Sequence, residues 1–383
     1  DTPDPPGGRI DRDAAGRPTG VLHESAGDAV QRAIDQDRSA HDPAARREQV
    51  ERIVEAASRA CAEHGVTSFQ DAGATTGDLE VFDAMAAAGR LDVRLWVMLG
   101  EPDAIIGDRL DDLRRVGAHD GLLTVRAIKR YADGALGNRG AWLLEPYADM
   151  PETDGIPTTP VADLEASARL ALEHDYQLCV HAIGDRANRE VLDVYERAFA
   201  DAPAGDRRWR IEHAQHVAPD DVPRFSELGV IASMQGIHCA SDSPWVEQRI
   251  GAERAASGAY VWRDLVDSGA ILANGTDVPV EPIDPIANFH ALVTRTSRDG
   301  RPFHVEQRLT REEALRAATL DAAYAAFEED LKGSLTPGKF ADLAVLSHDL
   351  LTVPEDRIPE TTVWMTVLGG RIVYGGPGNQ EAP

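Results

Sequence analysis

YQLCVHAIGD (176–185) and WRIEHAQ (209–215) decide how this chain is read. Each is a short apolar run that closes on a histidine, His181 in the first and His213 in the second. The two histidines are 32 residues apart, close to the length of one strand–helix–strand unit. They therefore fall at matching ends of neighbouring strands. Asp277 follows 64 residues after His213, two units on, at the close of AILANGTD (270–277), with VIASMQG (230–236) between. Working towards the N-terminus, TVRAIKRYADG (124–134), VRLWVML (93–99) and VTSFQDAG (66–73) keep the same rhythm. Helical stretches separate most of these runs, among them VADLEASARLALEHD (161–175) and APDDVPRFSELG (218–229). Apolar strands joined by helical crossovers make a parallel sheet.

Seven such strands are present, where a closed TIM (β/α)8 barrel needs eight. The expected fold is that α/β barrel with its first strand missing. RREQVERIVEAASRACAEHG (46–65) has apolar residues at Val50, Ile53, Val54, Ala57 and Ala60, a helical period ending at Gly65. TREEALRAATLDAAYAA (310–326) reads as one long helix, with Thr310 and Glu313 as a capping box. The tail has short strands, with Gly369-Gly370 in a hairpin, and reads as part of a small β-sandwich. The expected division is an insertion segment at 1–45, the barrel at 46–330 and the sandwich portion at 331–383.

Composition narrows the partners. The 383 residues carry 39 basic and 65 acidic side chains, a net charge of −26. That argues against nucleic acid and anionic membranes. Lys occurs only at 129, 332 and 339, and all other basic residues are Arg. Carboxylate excess with so little Lys suits a salt-rich cytoplasm, so a halophilic protein is expected; a GC-rich genome is the plainer account. Three scattered cysteines, Cys61, Cys179 and Cys239, form no disulfide framework. The first residues lack a signal-peptide pattern, and a cytoplasmic location is expected.

Lys129, His181, His213 and Asp277 all close strands, and strand ends form the catalytic face of a parallel barrel. Imidazole and carboxylate facing one cavity suit zinc or a similar metal. Each has a plainer reading alone: a core histidine, a partner for Glu212, a turn cap, a snorkelling lysine. Together they recur at matching strand positions. A buried ammonium is costly, and reaction of Lys129 with carbon dioxide would turn it into an anionic ligand. Asp185 can orient a ligand or cap a helix. Arg139 and Asn138 are placed for a substrate carbonyl or carboxylate. His216 and His238 lie near strands six and seven of the expected barrel, and His238, at the mouth, can polarise a carbonyl. Trp142, Trp245 and Trp262 either line an apolar pocket or cover the barrel.

The sequence resembles the amidohydrolase superfamily, in particular its N-substituted formamide deformylase-like branch. The resemblance rests on residues 1–24, GVTSFQDAG (65–73), IKRYADGALGNRGAWLLEPYAD (128–149), HAIGDRAN (181–188), RIEHAQ (210–215), NGTDVPVEPIDP (274–285) and GSLTPGKFADLAVL (333–346). It implies His181 and His213 as ligands of an outer metal, Lys129 as a carboxylated bridge, and Asp277 as inner ligand and general base. The substrate-binding residues expected are Arg139 and His238. One or two divalent metals, zinc first, would serve hydrolysis of a non-peptide C–N bond in a small-molecule amide. Rival readings are a hydrolase of cyclic amide, carbamate or ester bonds, or a non-catalytic regulatory protein on a degenerate barrel. A homodimer is one oligomeric state left open. The family also has a His-x-His pair on strand one; none occurs in this chain. The expectation is an N-terminally incomplete chain whose metal content and activity are reduced.

If the acidic surface is a salt adaptation, the melting temperature is expected to rise between low and molar salt, because ions screen carboxylate repulsion. A flat or falling melting curve removes the halophile reading.

Overall fold

The computed structural model describes residues 2–5, 7–27, 30, 33, 34 and 43–375. Parts of the expected segments 1–45 and 331–383 lie outside those residues. Gly8–Arg12 (β1) and Pro18–Glu24 (β2) form an antiparallel hairpin. The main sheet contains Ser68–Ala74 (β3), Arg94–Leu99 (β4), Arg115–Gly117 (β5), Leu123–Tyr131 (β6), Gln177–Ala182 (β7), Arg210–His213 (β8), Ile231–Met234 (β9) and Leu272–Asn274 (β10). Its order is β10-β9-β8-β7-β6-β4-β3, all parallel, with the short β5 antiparallel to β6. The seven parallel strands are those read from the sequence. They form the curled wall of a TIM barrel, and among the described residues β3 and β10 do not pair with each other.

Why these runs are strands is visible in β4, RLWVML, which is buried at every position. Both faces of a parallel strand are covered, so apolar residues run on without alternation. Trp96, Met98, Ala127 and Cys179 point into the barrel and close on Ala326. The floor is polar, and its donors reach the carbonyls of the closing helix, although Gln177 Oε1 and Arg210 Nε stay buried without a partner. Trp96 Nε1 donates to the Ala326 carbonyl at 3.2 Å, Gln177 Nε2 to Ala325 at 3.0 Å, and Arg210 also reaches Ala325. The Arg210 guanidinium lies 4.3 Å from the Trp96 ring centre.

Those carbonyls are presented because the expected long helix is two helices, Arg311–Ala318 and Leu320–Ala325. The break is at Thr319 (φ −127°, ψ −87°), whose hydroxyl bonds back to the Leu315 carbonyl at 2.7 Å. Such back-bonding competes with the helix ladder. The Thr310–Glu313 capping box is present. The helix Pro43–Glu63 also departs from its sequence pattern. Val50 and Val54 pack against the core, but Ile53 is 59% exposed. The covered face instead carries Ser58, Cys61 and Ala62, because the helix lies against the helix Thr76–Ala87 and the C-terminal strands.

Leu343–Leu346 (β11), Val363–Leu368 (β12) and Arg371–Gly375 (β13) form a three-stranded antiparallel sheet where the sandwich portion was expected. Gly369 and Gly370 take φ of 57° and 81°, the left-handed pair a tight hairpin turn requires. All three cysteines are free and buried. No described helix is long and apolar enough to cross a membrane.

This sheet is tied to the barrel by one buried ion pair. Arg94 donates to both Asp342 oxygens, at 2.6 and 3.0 Å, and to the Asp120 carbonyl at 2.9 Å. Phe340 lies 3.7 Å from the guanidinium. Side-chain exposure is 5% and 3%, so loss of either partner leaves a buried charge. Asp342→Ala is expected to destabilise the chain by about 3–5 kcal/mol. The double change Arg94→Met with Asp342→Leu should recover most of that. Urea unfolding of the three proteins measures it; equal stability of wild type and Asp342→Ala would show that the pair holds nothing.

Candidate metal centre

Strand pairing fixes which side chains share a level. Tyr131 pairs with His181, His181 with Glu212, and Glu212 with Ser233. One step below, Lys129 pairs with Cys179 and Cys179 with Arg210. Paired residues of parallel strands project to the same face. The barrel therefore carries an upper layer of Tyr131, His181, Glu212 and Ser233 over a layer of Lys129, Cys179 and Arg210.

His213 ends β8, where the backbone turns into the left-handed region (φ 77°) and Ala214 follows at 41°. Asp277 has φ 58°. Positive φ in residues other than glycine is strained and concentrates at functional sites. The turn at His213 brings its ring to 4.5 Å, centre to centre, from that of His181. His238, in the first turn of the helix Gly236–Ile250, stacks on His213 at 5.9 Å. Its Nε2 is 3.4 Å from Asp277 Oδ2. One ligand atom from each of His213, His238 and Asp277 lies within 4.8 Å of the others. Tetrahedral zinc ligands about 2.0–2.2 Å from the ion sit about 3.3–3.6 Å from one another, so binding draws the trio inwards by up to about 1.5 Å. His181 adjoins this trio without belonging to it.

The electrostatics suit a cation. Burial pushes His181 down to about 3, helped by Lys129, and His238 down to about 4. Burial holds His213 well below its ordinary value, with His181 and Lys129 adding to the effect. All three imidazoles are neutral near pH 7 and offer a lone pair. His213 Nδ1 meets Gln235 Oε1 at 2.8 Å, which places its proton there and leaves Nε2 to bind. The Nε2 atoms of His181 and His238 and Oε1 of Glu212 are buried without a hydrogen-bond partner. Burial raises Asp277 to about 6, against the pull of Lys129. Orphaned imidazole nitrogens beside a carboxylate are the donor set of a zinc-type ion, and the residues fit one.

Lys129 is 3% exposed, and no carboxylate among the described residues lies within 4.0 Å of it. Burial lowers its pKa, with Glu212 opposing. It stands one layer below the histidines, 4.7 Å from the Tyr131 ring centre. Arg139 instead pairs with Asp149 at 2.8 Å in the loop after β6, and Arg249 of the helix Gly236–Ile250 reaches the same carboxylate. Asn138 donates to Glu24 at 2.8 Å. Asp185 accepts the N–H groups of Leu144 (2.8 Å) and Arg186 (3.0 Å), tying that loop to a helix start. His216 is buried with both ring nitrogens unpartnered. Trp262 is wholly buried in the core, Trp142 lies under Arg186, and Trp245 packs on Gly137. Glu212, Gln235 and Asp133 were missed in the sequence. Alternation from His181 across to β8 was the available signal for Glu212.

The pattern of the amidohydrolase family matches residues 1–374. This chain belongs to the amidohydrolase family. It is 31% identical over 381 residues to YtcJ of Bacillus subtilis (strain 168), an amidohydrolase by name, covering 97% of this chain and 69% of YtcJ. It is 26% identical to the N-substituted formamide deformylase of Arthrobacter pascens, covering 99% of this chain and 69% of that protein. Among solved structures, an uncharacterized metal-dependent hydrolase from Pyrococcus horikoshii OT3 superimposes with a TM-score of 0.75 at 26% identity, over 91% of this chain and 68% of that one. The chain thus spans about two thirds of the length of the relatives it matches.

The hairpin reaches the mouth through Glu24, whose carboxylate sits between two glycines of the loop after β6. A Cβ on Gly134 would lie 2.1 Å from Glu24 Cδ, and one on Gly140 2.2 Å from Oε1. Gly134→Ala is expected to expel Glu24 and break its bond to Asn138. Amide exchange should then speed up across residues 8–24 while β6–β9 stay protected. Unchanged exchange in the hairpin would show that Glu24 does not anchor it.

Proposed function

We propose that this chain carries the catalytic face of a metal-dependent hydrolase of non-peptide C–N bonds, with N-substituted formamides and related small amides as substrates. The observation that carries the reading is the trio His213, His238 and Asp277, converging at the strand ends with neutral imidazoles. Family membership and the formamide deformylase relative support the reaction class.

His213, His238 and Asp277 would hold the ion, with His181 beside them; zinc is the first choice for such donors. When bound, the ion supplies Lewis acidity to the carbonyl and to the attacking water. The protein's own part is proton handling and orientation. Asp277 takes a proton from the water as its oxygen attacks the carbonyl carbon. It then gives that proton to the departing nitrogen as the C–N bond breaks, releasing acid and amine. Gln235 holds His213 in one tautomer throughout.

The test is divalent-metal content and amide hydrolysis for wild type, His213→Ala and Asp277→Asn. Wild type is expected to bind a divalent ion. His213→Ala should lower affinity at least about tenfold, and Asp277→Asn should lower turnover by about 10²–10⁴. Binding of no divalent ion by the wild type, or hydrolysis that persists fully in chelator, would reject the reading.

A further inference from the structure

The segment that follows His181 is gripped from both sides by buried polar groups. Asp133, 1% exposed, lies just past the end of β6. Its Oδ1 accepts the Ile183 N–H at 2.9 Å. Its Oδ2 accepts those of Gly184 and Trp142, each at 2.8 Å. Asn188, wholly buried, serves the carbonyls: its Nδ2 donates to Ala182 (3.2 Å), Gly184 (2.9 Å) and His216 (3.1 Å). One side chain takes the N–H groups and the other the C=O groups of the same turn. Left unpaired, these buried groups would be costly.

Of the two side chains only Asp133 also approaches the imidazole, and the Gly134 backbone lies against the same ring and favours its charged form. Asp133 Oδ1 is 3.4 Å from Nε2 of His181, and that nitrogen has no hydrogen-bond partner. Burial pushes Asp133 up to about 8, while the three backbone N–H groups favour the charged form, which offers about four acceptor positions. Three are filled by backbone N–H groups, and the one remaining is nearest to Nε2. Asp185 has no such contact; its Oδ1 accepts the N–H groups of Leu144 and Arg186.

We propose that Asp133 is a positioning residue for the metal centre, holding the proton of His181 on Nε2 and leaving the Nδ1 lone pair free for a cation. The role rests on reading His181 as part of that centre. The proton on an imidazole is placed by the hydrogen bond its other nitrogen makes, and a carboxylate behind a metal-facing histidine fixes both tautomer and ring direction. Asn188 supplies the contrast: it braces the same turn but cannot act on the ring.

The experiment is nitrogen NMR of histidine-labelled, metal-free chain at neutral pH, with His181 assigned through His181→Gln, followed by titration with cobalt(II). Wild type is expected to show His181 protonated on Nε2. Asp133→Asn should lose that preference, and its cobalt affinity should fall about 10- to 100-fold. Asn188→Ala should lose thermal stability but keep both the tautomer and the cobalt affinity. His181 protonated on Nδ1 in the wild type would overturn the proposal, and so would an Asp133→Asn protein with unchanged tautomer and affinity. Should Asp133→Asn not fold, the wild-type tautomer decides alone. If wild type shows the Nε2 proton but binds no cobalt, the metal-centre reading fails while Asp133's hold on the tautomer stands.

Discussion

The molecule depends on the register between β6, β7, β8 and β9. Because side chains alternate along a strand, a slip of one residue in any of these pairings would turn its functional group out of the barrel. Register places Tyr131, His181, Glu212 and Ser233 in one layer. It is fixed from below, where Trp96, Met98, Ala127 and Cys179 pack around Ala326. It is fixed again by Arg210 and Gln177, which both reach the carbonyl of Ala325. An apolar floor alone could slide. Polar side chains aimed at single carbonyls cannot move without leaving a buried donor unpaired. The precision of the mouth is therefore set at the opposite end of the barrel.

Much of this was legible in the sequence because parallel strands are buried on both faces and read as apolar runs. All seven parallel strands were found from that signal, and the histidines at their ends followed from spacing. What spacing could not give was direction at the strand ends. His213 leaves the regular strand with positive φ, so its ring swings across towards His181 and His238. No residue pattern announces that turn. Arg139 looked available for a substrate because it lies in the right loop, but Asp149, ten residues on, meets it there. The break at Thr319 was hidden for a related reason: the segment has strong helix formers on both sides, and the break depends on where its carbonyls must point.

Glu212 shows how a neighbour in sequence can point to the wrong partner in space. As a neighbour of His213 it suggested a structural partner, yet adjacent strand residues face opposite ways while the strand is regular. Glu212 belongs with His181, its partner across the pair, and Oε1 is left buried and unpartnered. It favours the charged form of Lys129 and opposes that of Asp277. The carboxylate thus acts on both neighbours without pairing with either.

That arrangement explains why a lysine is tolerated where burial works against it. An ammonium at Lys129 gains from Glu212 and Asp277 but has no carboxylate within 4.0 Å among the described residues. A tight pair would hold the charge and consume the partner, because a buried pair that loses one member becomes strongly unfavourable. Loose coupling leaves Glu212, Asp277 and the amine each free to change partner. In a cavity whose histidines are neutral, the carboxylates are the negative charge available to a divalent ion. An ion entering at His213 and His238 would compete with Lys129 for the same field.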